Sequence, residues 1–485
     1  MNQGGTAEVA FRPSTGMKGF FVFKTDSNVM LSGRLTASEM IQRESSGGEY
    51  VNNLIWDPTH ECMPLAEQQK LQGERLADCV RRIYGHVPFY TEKMDASGLL
   101  PGDIKTLEDI VKLPFTDKQD MRDQYPYGTF AVPLSDIIRI HASSGTTGKQ
   151  KVVGYTSKDI EIWSECCARS LRSAGMTKGD ILHVAYGYGL FTGGLGLHYG
   201  AERLGATVIP VSSGNTMRQI QILVDFQPTA IACTPSYALH LADALSTYGV
   251  TKDQLHLKYG IFGAEPWTIA MKEQIEEKLG LKAFDIYVLS ETMGPGVSMS
   301  CVCSDDLHIQ ADHFIAEIID PETHQPLPPG ETGELVFSSI TKEGTPLLRY
   351  NTHDLSSLHY EPCACGRTTV RMEKVTGRAD DMLIIRGVNV FPTQIEAILL
   401  SYGEVEPHYM IIVDRVRNLD FMEIQIEMTR AFFSDSVREI ENLERKLNAD
   451  VQSVLGISAK ITLVEPRSLP RSEGKAKRVI DNRKN

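Results

Sequence analysis

Residues 143–149 concentrate hydroxyl groups and glycines at a point where a β-strand is expected to end. The segment consists of Ser143, Ser144, Gly145, Thr146, Thr147, Gly148 and Lys149. Backbone N–H groups and hydroxyls on such a loop can surround phosphate oxygens, and the lysine adds positive charge. The glycine spacing of a Walker A loop is missing, as is the hydroxyl residue after its lysine. The segment therefore predicts a phosphate-binding loop of another kind, with a flexible turn as the alternative.

Short β-rich runs alternate with helical patterns between about residues 135 and 300 and must position this loop. The runs cover 137–140, 181–185, 207–211, 230–233, 259–262 and 284–289, and helical spacing covers 158–174, 215–226 and 268–279. This alternation is typical of a parallel sheet with helices on both faces. An amphipathic helix is predicted over residues 67–87, with Pro88 as its stop.

The pattern changes twice further along the chain. From Phe314, strands with turn signals predict an added β region, and after Gly377 a compact mixture of strands and helices follows. We therefore predict an α/β chain with a disordered leader over residues 1–50 and a large N-terminal domain over 51–377, in which helices flank parallel sheets. A small mobile α+β lid domain is predicted over 378–485, with a hinge at 378–381.

Composition and charge limit the possible partners. The chain has 485 residues, of which 42% are hydrophobic and 23% charged, and its formal net charge is -13. The negative charge disfavours a nucleic-acid surface. No apolar run reaches the roughly 18 residues of a membrane span, and no secretory leader is recognisable. Nine cysteines do not suit a disulfide framework. We expect a cytoplasmic protein with no nucleic-acid or membrane partner, and a homodimer is left open.

The chain resembles the adenylate-forming superfamily, whose phosphate loop reads Ser/Thr-Ser-Gly-Thr-Thr-Gly-Lys, and is most similar to its phenylacetate-CoA ligase branch. The resemblance extends from about Leu71 to Lys484. The segments that carry it, in order, are 87–90, 113–116, 141–148, 186–194, 263–267 and 377–395. It implies that an acid is first converted to acyl-AMP with ATP, and that coenzyme A then takes the acyl group.

The resemblance also assigns roles to residues at the nucleotide. Segment 285–291 looks like the signature in which Tyr287 stacks on adenine and Glu291 binds Mg²⁺, an ion that prefers oxygen ligands. Without the resemblance, Tyr287 could be a core aromatic residue and Glu291 a helix cap. Ala264 and Glu265 belong to the same nucleotide site.

Segment 349–354 resembles the motif whose aspartate, here Asp354, accepts hydrogen bonds from the two ribose hydroxyls. Family members more often have arginine at the positions of Asn351 and His353, so contacts of those charges with phosphate or with the surface are in doubt here.

Two further roles lie near the C-terminal domain. By resemblance, Arg378 reaches the ribose and Asp380 is the pivot of the hinge. Lys475, which follows a glycine as in the family, is the catalytic lysine that stabilises charge at the α-phosphate, with Lys477 as the alternative. Together with Thr146 and Glu291 it completes the expected catalytic set. The alternatives are a salt-bridged surface turn at the hinge and a solvated basic tail.

The acid pocket is implied only by resemblance. The matching aryl-site residues are Tyr186, Phe191, Leu197, Ala264, Ile286 and Pro295. An apolar slot with aromatic walls suits a phenyl ring. Many relatives have alanine at the position of Leu197. If Leu197 points into the slot, it shortens the slot, and phenylacetate or a smaller aryl acid is expected to be preferred over para-substituted acids.

A zinc site is a further hypothesis. Cys363 and Cys365 lie on a predicted tight turn, and the family brings a polar loop with Cys301 and His308 close to it. Zinc binds four Cys or His ligands in a tetrahedron. These four residues are the predicted structural Zn²⁺ ligands, with Cys303 as a substitute, and free buried thiols are the alternative.

The leading hypothesis is thus an ATP-dependent aryl-acid:CoA ligase that needs Mg²⁺. One alternative is an adenylating enzyme that passes its acyl or AMP group to a carrier protein or another acceptor, such as a deazaflavin. A second is a non-catalytic nucleotide-binding homologue. An assay for release by CoA or by a carrier separates the enzymes, and pyrophosphate release excludes the binding protein.

Overall fold

The computed structural model describes residues 54–143, 149–379, 383–386, 388–416, 419–433, 437–470 and 478–484. Its opening segment is mainly helical, with α1 (Pro58–Glu61), α2 (Leu65–Ile83), α3 (Pro88–Ala96) and α4 (Lys118–Asp123). Helix α2 ends before the predicted stop, and Pro88 begins α3 instead of ending a longer helix. Proline suits the first helical position, because the N–H it lacks would have no intrahelical partner there.

A two-stranded antiparallel sheet flanks the predicted phosphate loop. Strand β1 (Arg139–Ser143) pairs with β2 (Lys151–Tyr155), and Ser143 lies opposite Lys151. The prediction that residues 137–140 begin the parallel sheet was therefore wrong, since this strand belongs to a separate hairpin. The apolar run alone could not distinguish the two sheets.

A nine-stranded sheet forms the centre of the large N-terminal part. Its strands are β3 (Ile181–Val184), β4 (Thr207–Ile209), β5 (Ala230–Cys233), β6 (Tyr259–Gly263), β7 (Lys282–Leu289), β8 (Gly294–Cys301), β9 (Ser304–Ile309), β13 (Leu358–His359) and β14 (Arg371–Met372). They lie in the order β13-β14-β9-β8-β7-β6-β5-β3-β4. Strands β3 to β7 pair in parallel, and β8, β9, β14 and β13 extend the sheet antiparallel.

Helices cover both faces of the parallel part. They are α5 (Ser157–Ser173), α6 (Gly193–Leu204), α7 (Thr216–Phe226), α8 (Pro235–Thr247) and α9 (Ile269–Leu279). Strand β5 shows the two faces, because Ala230 and Ala232 join the core under α5 and α6. Ile231 and Cys233 point the other way, into the core under α7, α8 and α9. Strands buried on both sides are typical of parallel sheets.

Two glycines let α5 and α6 pack closely. A Cβ atom at Gly196 would lie 2.6 Å from Trp163, and one at Gly200 would lie 2.3 Å from Cys167. The glycines are one turn apart and therefore share a face of α6. The cysteines of this contact, Cys166 and Cys167, are fully buried, as is Cys233. Thiols buried in this way pack as small apolar residues.

The β region is a four-stranded antiparallel sheet beside the central one. It contains β10 (Phe314–Ile319), β11 (Gly333–Ser339), β12 (Tyr350–Ser356) and β15 (Gly377–Arg378) in that order. In β15, Arg378 pairs with Asp354 of β12. Two residues assigned to the nucleotide thus lie side by side on neighbouring strands.

The C-terminal region, meaning the described residues from 383 on, has its own sheet and core. Its elements are β16 (Leu383–Ile385), β17 (Val388–Val390), α10 (Pro392–Leu399), β18 (Val405–Val416), β19 (Leu419–Met428), α11 (Val437–Leu455), β20 (Lys460–Val464) and β21 (Val479–Asp481). A mixed sheet in the order β20-β19-β18-β21 packs with the two helices around one apolar core. The predicted fold class is confirmed. Among the described residues, no helix is both long and apolar enough to cross a membrane.

Candidate nucleotide and acid site

A cavity opens at the ends of β6 and β7, beside β12 and β15. It is lined by Ala264, Glu265, Pro266, Asp285, Ile286, Tyr287, Val288, Leu289, Leu307, Asp354, Lys374, Val375 and Arg378. Five residues that were predicted to bind the nucleotide are in this wall: Ala264, Glu265, Tyr287, Asp354 and Arg378. Glu291, which was predicted with them, is not. The carboxyl ends of parallel strands are where open α/β sheets usually bind ligands.

Tyr287, Asp354 and Arg378 form one hydrogen-bonded group in this wall. The Tyr287 hydroxyl donates to Asp354 Oδ2 at 2.5 Å, and Arg378 Nη1 lies 3.1 Å from Asp354 Oδ1. A second guanidinium nitrogen of Arg378 donates to the Thr352 carbonyl at 3.1 Å. Burial and the neighbouring Asp354 raise the pKa of Tyr287 well above its ordinary value, so the phenol stays protonated. These contacts orient the Asp354 carboxylate at the cavity.

The segment after β6 adopts a strained backbone at the cavity. Ala264 has a φ of +70°, a left-handed conformation that costs a residue with a Cβ roughly 1–2 kcal/mol. Glu265 Oε1 accepts a 2.6 Å hydrogen bond from the backbone N–H of Ser236, in the first turn of α8. Such strain is often found where a backbone is held in place for a ligand.

A charged pair that was not predicted from the sequence also lines the cavity. Lys374 Nζ lies 3.4 Å from Asp285 Oδ2 and 3.6 Å from the centre of the Trp267 ring. Burial raises the pKa of Asp285 despite the opposing effect of Lys374. Asp285 and Trp267 belong to recognised segments, but no motif marked Lys374.

Glu291 lies beside Ser143, at the start of the predicted phosphate loop, and has one basic residue and one hydroxyl as partners. Its carboxylate forms an ion pair with Lys151 and accepts a 3.3 Å hydrogen bond from the Ser143 hydroxyl. Burial acts to raise the pKa of Glu291, but Lys151 outweighs it, and the pKa lies below its ordinary value. The carboxylate is therefore ionised, as a metal ligand must be.

Lys151 and Lys342 are basic residues that no sequence motif marked. Lys149, which a motif did mark, is exposed, with its ammonium 5.9 Å from the centre of the Tyr125 ring. Lys342 is fully buried, donates to the Thr292 carbonyl at 3.0 Å and lies 4.2 Å from the centre of the Tyr155 ring. Burial lowers the pKa of Lys342 to about 8.

Several predicted residues lie outside the described residues. They are the loop residues Ser144, Gly145, Thr146, Thr147 and Gly148, the pivot Asp380, the lysines Lys475 and Lys477, and the leader over residues 1–50.

At the two positions where the resemblance implies arginine, Asn351 and His353 both contact Glu334. The Asn351 amide donates to Glu334 Oε2 at 2.5 Å, and His353 Nδ1 lies 3.1 Å from Glu334 Oε1. Glu334 is on β11, whereas Asp354 pairs with Arg378 on the other edge of β12. In this chain, Asn351 and His353 thus connect β12 to β11 through Glu334.

The predicted acid-pocket residues come together in part. Tyr186, Leu197 and Ile286 are buried in one apolar cluster, with Ala264 packed against it. The Phe191 ring is 36% exposed and lies 6.3 Å, centre to centre, from the Tyr186 ring. Pro295 is buried on β8 against Gly196, the neighbour of Leu197. A half-exposed aromatic ring thus lies beside an apolar interior.

The predicted zinc residues also come together. The ligand atoms of Cys301, His308, Cys363 and Cys365 all lie within 4.8 Å of one another. Contrary to the prediction of a polar loop, Cys301 ends β8 and His308 is on β9, so a hairpin presents them. Cys303, the substitute, is exposed.

Hydrogen bonds around this cluster suit a metal site. His308 Nε2 lies 3.5 Å from Cys365 Sγ, while Nδ1 lies 3.1 Å from the Thr369 hydroxyl. If Nδ1 carries the proton, Nε2 is free to bind a metal. Arg367 Nη1 donates to Cys365 Sγ at 3.5 Å, which favours the thiolate.

The chain matches two families and shares its fold with solved ligases. Residues 92–341 match the AMP-binding enzymes, and residues 387–483 match the AMP-binding enzyme C-terminal domain. The phenylacetate-coenzyme A ligase of Thermus thermophilus is 50% identical over 445 residues, which cover 89% of this chain and all of that protein.

The chain is also similar to two solved states of a 2-hydroxyisobutyryl-CoA ligase. The postadenylation state with an acyl-AMP has a TM-score of 0.84 at 30% identity, over 89% of this chain and 93% of that chain. The thioesterification state, with 2-HIB-AMP and CoA, has a TM-score of 0.67 at 31% identity over the same shares.

Proposed function

This chain belongs to the family of AMP-binding enzymes, and from that premise we propose that it is a ligase that joins phenylacetate to coenzyme A at the expense of ATP. In the first step, the acid carboxylate attacks the α-phosphorus of ATP, which gives acyl-AMP and pyrophosphate. In the second, the CoA thiol attacks the acyl carbon and AMP leaves. The observation that carries the proposal is the wall shared by Ala264, Tyr287, Asp354 and Arg378, in a chain half identical to a known ligase of this kind.

The nucleotide is held mainly by residues of the cavity. Asp354 accepts hydrogen bonds from the ribose hydroxyls, Arg378 reaches the same sugar, and Tyr287 packs on the adenine. Ala264 and Glu265 border the base. Because Tyr287 and Arg378 already hold Asp354, the carboxylate meets the ribose without losing further freedom.

The loop from Ser143 to Lys149 binds the phosphates of ATP. Thr146 and the backbone of this loop hold the departing pyrophosphate, and Lys475 stabilises charge at the α-phosphate once the C-terminal region has brought it in, with Asp380 as the pivot. These three roles rest on the sequence motifs.

Glu291 is the residue that would hold Mg²⁺. Its buried, ionised carboxylate beside the Ser143 hydroxyl supplies the hard oxygen atoms that this ion prefers. Bound there with ATP, magnesium would neutralise phosphate charge. Lys151 keeps the carboxylate ionised and adds a cation at the same point.

The acid binds in the apolar cluster with Tyr186, Leu197 and Ile286, beside Ala264 and Pro295, and Phe191 covers its open side. No protein nucleophile is required, since the carboxylate and the CoA thiol make the two attacks. The chain positions the reacting groups, supplies charge at the phosphates and excludes water from the acyl-AMP.

We also propose that Cys301, His308, Cys363 and Cys365 bind a structural zinc ion. The mixed sulfur and imidazole set, the close approach of all four atoms and the Thr369 contact of His308 support this. Elemental analysis of protein purified without added metal should find about one zinc per chain. Zinc-free protein with full activity and stability would contradict the zinc site. As a control, Cys303→Ser should leave the zinc content unchanged, because Cys303 is exposed and is not one of the four ligands.

A coupled assay tests the function. With ATP, Mg²⁺, CoA and phenylacetate, the protein should release AMP and pyrophosphate and form phenylacetyl-CoA. Omitting CoA should leave pyrophosphate release in a single turnover but abolish the thioester. Turnover that needs a carrier protein instead of CoA, or no pyrophosphate release with any of a panel of aryl acids, would refute the proposal.

A further inference from the structure

The C-terminal region contacts the large domain on one face of helix α8. Asp243 and Thr247, one turn apart on this helix, share that face. His408 Nε2 of β18 lies 3.9 Å from Asp243 Oδ2, and Arg467 Nη2 donates a 3.1 Å hydrogen bond to the Thr247 hydroxyl. Leu400 packs against the apolar core under α8 and α9.

The Asp243 side of this contact is prepared for a cation. Lys278 of α9 lies 2.7 Å from the other carboxylate oxygen of Asp243 and orients the group. Burial tends to raise the pKa of Asp243, but His408 and Lys278 outweigh it, and the net effect is a lower pKa. An ionised, partly buried carboxylate thus faces the C-terminal region.

Arg467, which contacts α8, lies eight residues before the proposed catalytic Lys475 in the sequence. Its backbone N–H donates to Glu427 Oε2 at 3.0 Å, and the N–H of Leu469 donates to Glu427 Oε1 at 2.8 Å. Glu427 is completely buried in β19. The chain that leads to Lys475 is therefore held to the C-terminal sheet by Glu427 and to α8 by the Arg467 side chain.

The contact between α8 and the C-terminal region consists largely of polar groups around a gap. A cavity of about 190 Å³ lies within it, lined by Thr216, His240, Asp243, Ala244, Thr247, Tyr248 and Arg467. Thr247 and Arg467 are themselves exposed. A few polar contacts around a gap give much less stability than a packed apolar core, which suits reversible docking.

The aligned part of the chain, 89% of its residues, matches one reaction state more closely than another. It superposes more closely on the postadenylation state of the solved 2-hydroxyisobutyryl-CoA ligase than on its thioesterification state, at nearly equal sequence identity. The contacts on α8 therefore belong to the arrangement seen around adenylation in that relative.

We propose that Asp243 and Thr247 form a docking site that holds the C-terminal region, through His408 and Arg467, in the position for acid adenylation. The proposal rests on the proposed ligase function. It makes the four groups positioning residues for the first half-reaction alone, because the second half-reaction uses another placement of the same region.

The test separates the two half-reactions. Arg467→Gln and the double substitution Asp243→Asn with Thr247→Val remove the docking contacts, and Arg467→Lys keeps the charge. Adenylation is measured as single-turnover pyrophosphate release without CoA. Thioester formation is measured from synthetic phenylacetyl-AMP and CoA. Glu423→Gln is the matched control, since it removes a carboxylate that pairs with Lys460 inside the C-terminal region at 3.0 Å.

Loss of one or two such contacts should slow adenylation by about five- to tenfold, while thioester formation stays unchanged or becomes faster. Arg467→Lys should recover part of the loss, and Glu423→Gln should alter neither rate. Equal slowing of both steps, or no effect of the exposed Arg467→Gln change, would overturn the docking site while the ligase function stands. Wild-type protein that performs neither step would instead reject the proposed function and the docking site with it.

Discussion

The hydroxyl of Tyr287 donates a 2.5 Å hydrogen bond to Asp354, whose other carboxylate oxygen lies 3.1 Å from Arg378. The carboxylate is thereby held between a phenol and a guanidinium before any sugar arrives. An aromatic residue assigned to adenine stacking thus also orients the group assigned to the ribose. Its hydroxyl and its ring have separate effects that substitution can distinguish.

Tyr287→Phe should raise the KM for ATP by about fivefold and change kcat less, because it removes one hydrogen bond to Asp354 but keeps the ring. Tyr350→Phe is the matched control. The Tyr350 hydroxyl is buried and has no hydrogen-bond partner among the described residues. Steady-state kinetics at varied ATP concentration measure both, and equal effects of the two changes would contradict the role of the Tyr287 hydroxyl.

Lys151→Met should reduce adenylation by about tenfold or more, since it leaves the buried Glu291 carboxylate without its cation and removes charge beside the phosphates. Lys149→Met should have the smaller effect because Lys149 is exposed. Pyrophosphate release titrated with Mg²⁺ measures both variants. A larger loss in Lys149→Met than in Lys151→Met would show that Lys149 is the more important lysine at the phosphates.

Lys342 should make folding stability depend on pH. Its pKa of about 8 in the folded protein is lower than the ordinary value of 10.5. Between these values the unfolded chain binds the proton and the folded protein does not, so stability rises with pH. The free energy of unfolding of the wild type, minus that of Lys342→Met, should increase by about 2 kcal/mol from pH 7.5 to 9.5.

Urea denaturation of both proteins at several pH values gives this difference. Groups other than Lys342 titrate in both proteins and cancel in the subtraction. A difference that does not change with pH would show that Lys342 keeps its proton in the folded state.

Leu197→Ala should enlarge the acid pocket, so that 4-hydroxyphenylacetate is used more efficiently relative to phenylacetate. The side chain is buried beside Tyr186 and Ile286, and its removal frees several methyl-sized volumes. Leu204→Ala, on the same helix, is the control for general damage to the core. In the wild type, a clear preference in kcat/KM for the para-substituted acid over phenylacetate and benzoate would refute the size argument.

The sequence predicted most of the fold because its signals are local. Strand β5 covers residues 230–233 as expected, and α7 and α9 begin within one residue of their predicted starts. The errors lie at points where local patterns do not decide. A β-rich run at 137–140 fits either a parallel sheet or a hairpin, and Pro88 can end one helix or begin the next.

The site was predictable where a motif marks it and not where only pairing does. Asp354 and Arg378 were selected from motifs, and the structure adds that they are cross-strand neighbours. Lys151 was missed because only the hairpin register places it opposite Ser143, where both side chains reach Glu291. Lys374 meets Asp285 through the tertiary fold alone.

The position of Arg378 on β15 has a consequence for the fate of the intermediate. This residue is fastened to the β12 edge by backbone pairing with Asp354, and the chain passes to the C-terminal region directly after it. If that region turns to admit CoA, as proposed above, the pair to which we assign the ribose can remain with the large domain. The acyl-AMP then need not be released between the two reactions, and a mixed anhydride that water would destroy stays bound until the thiol reaches it.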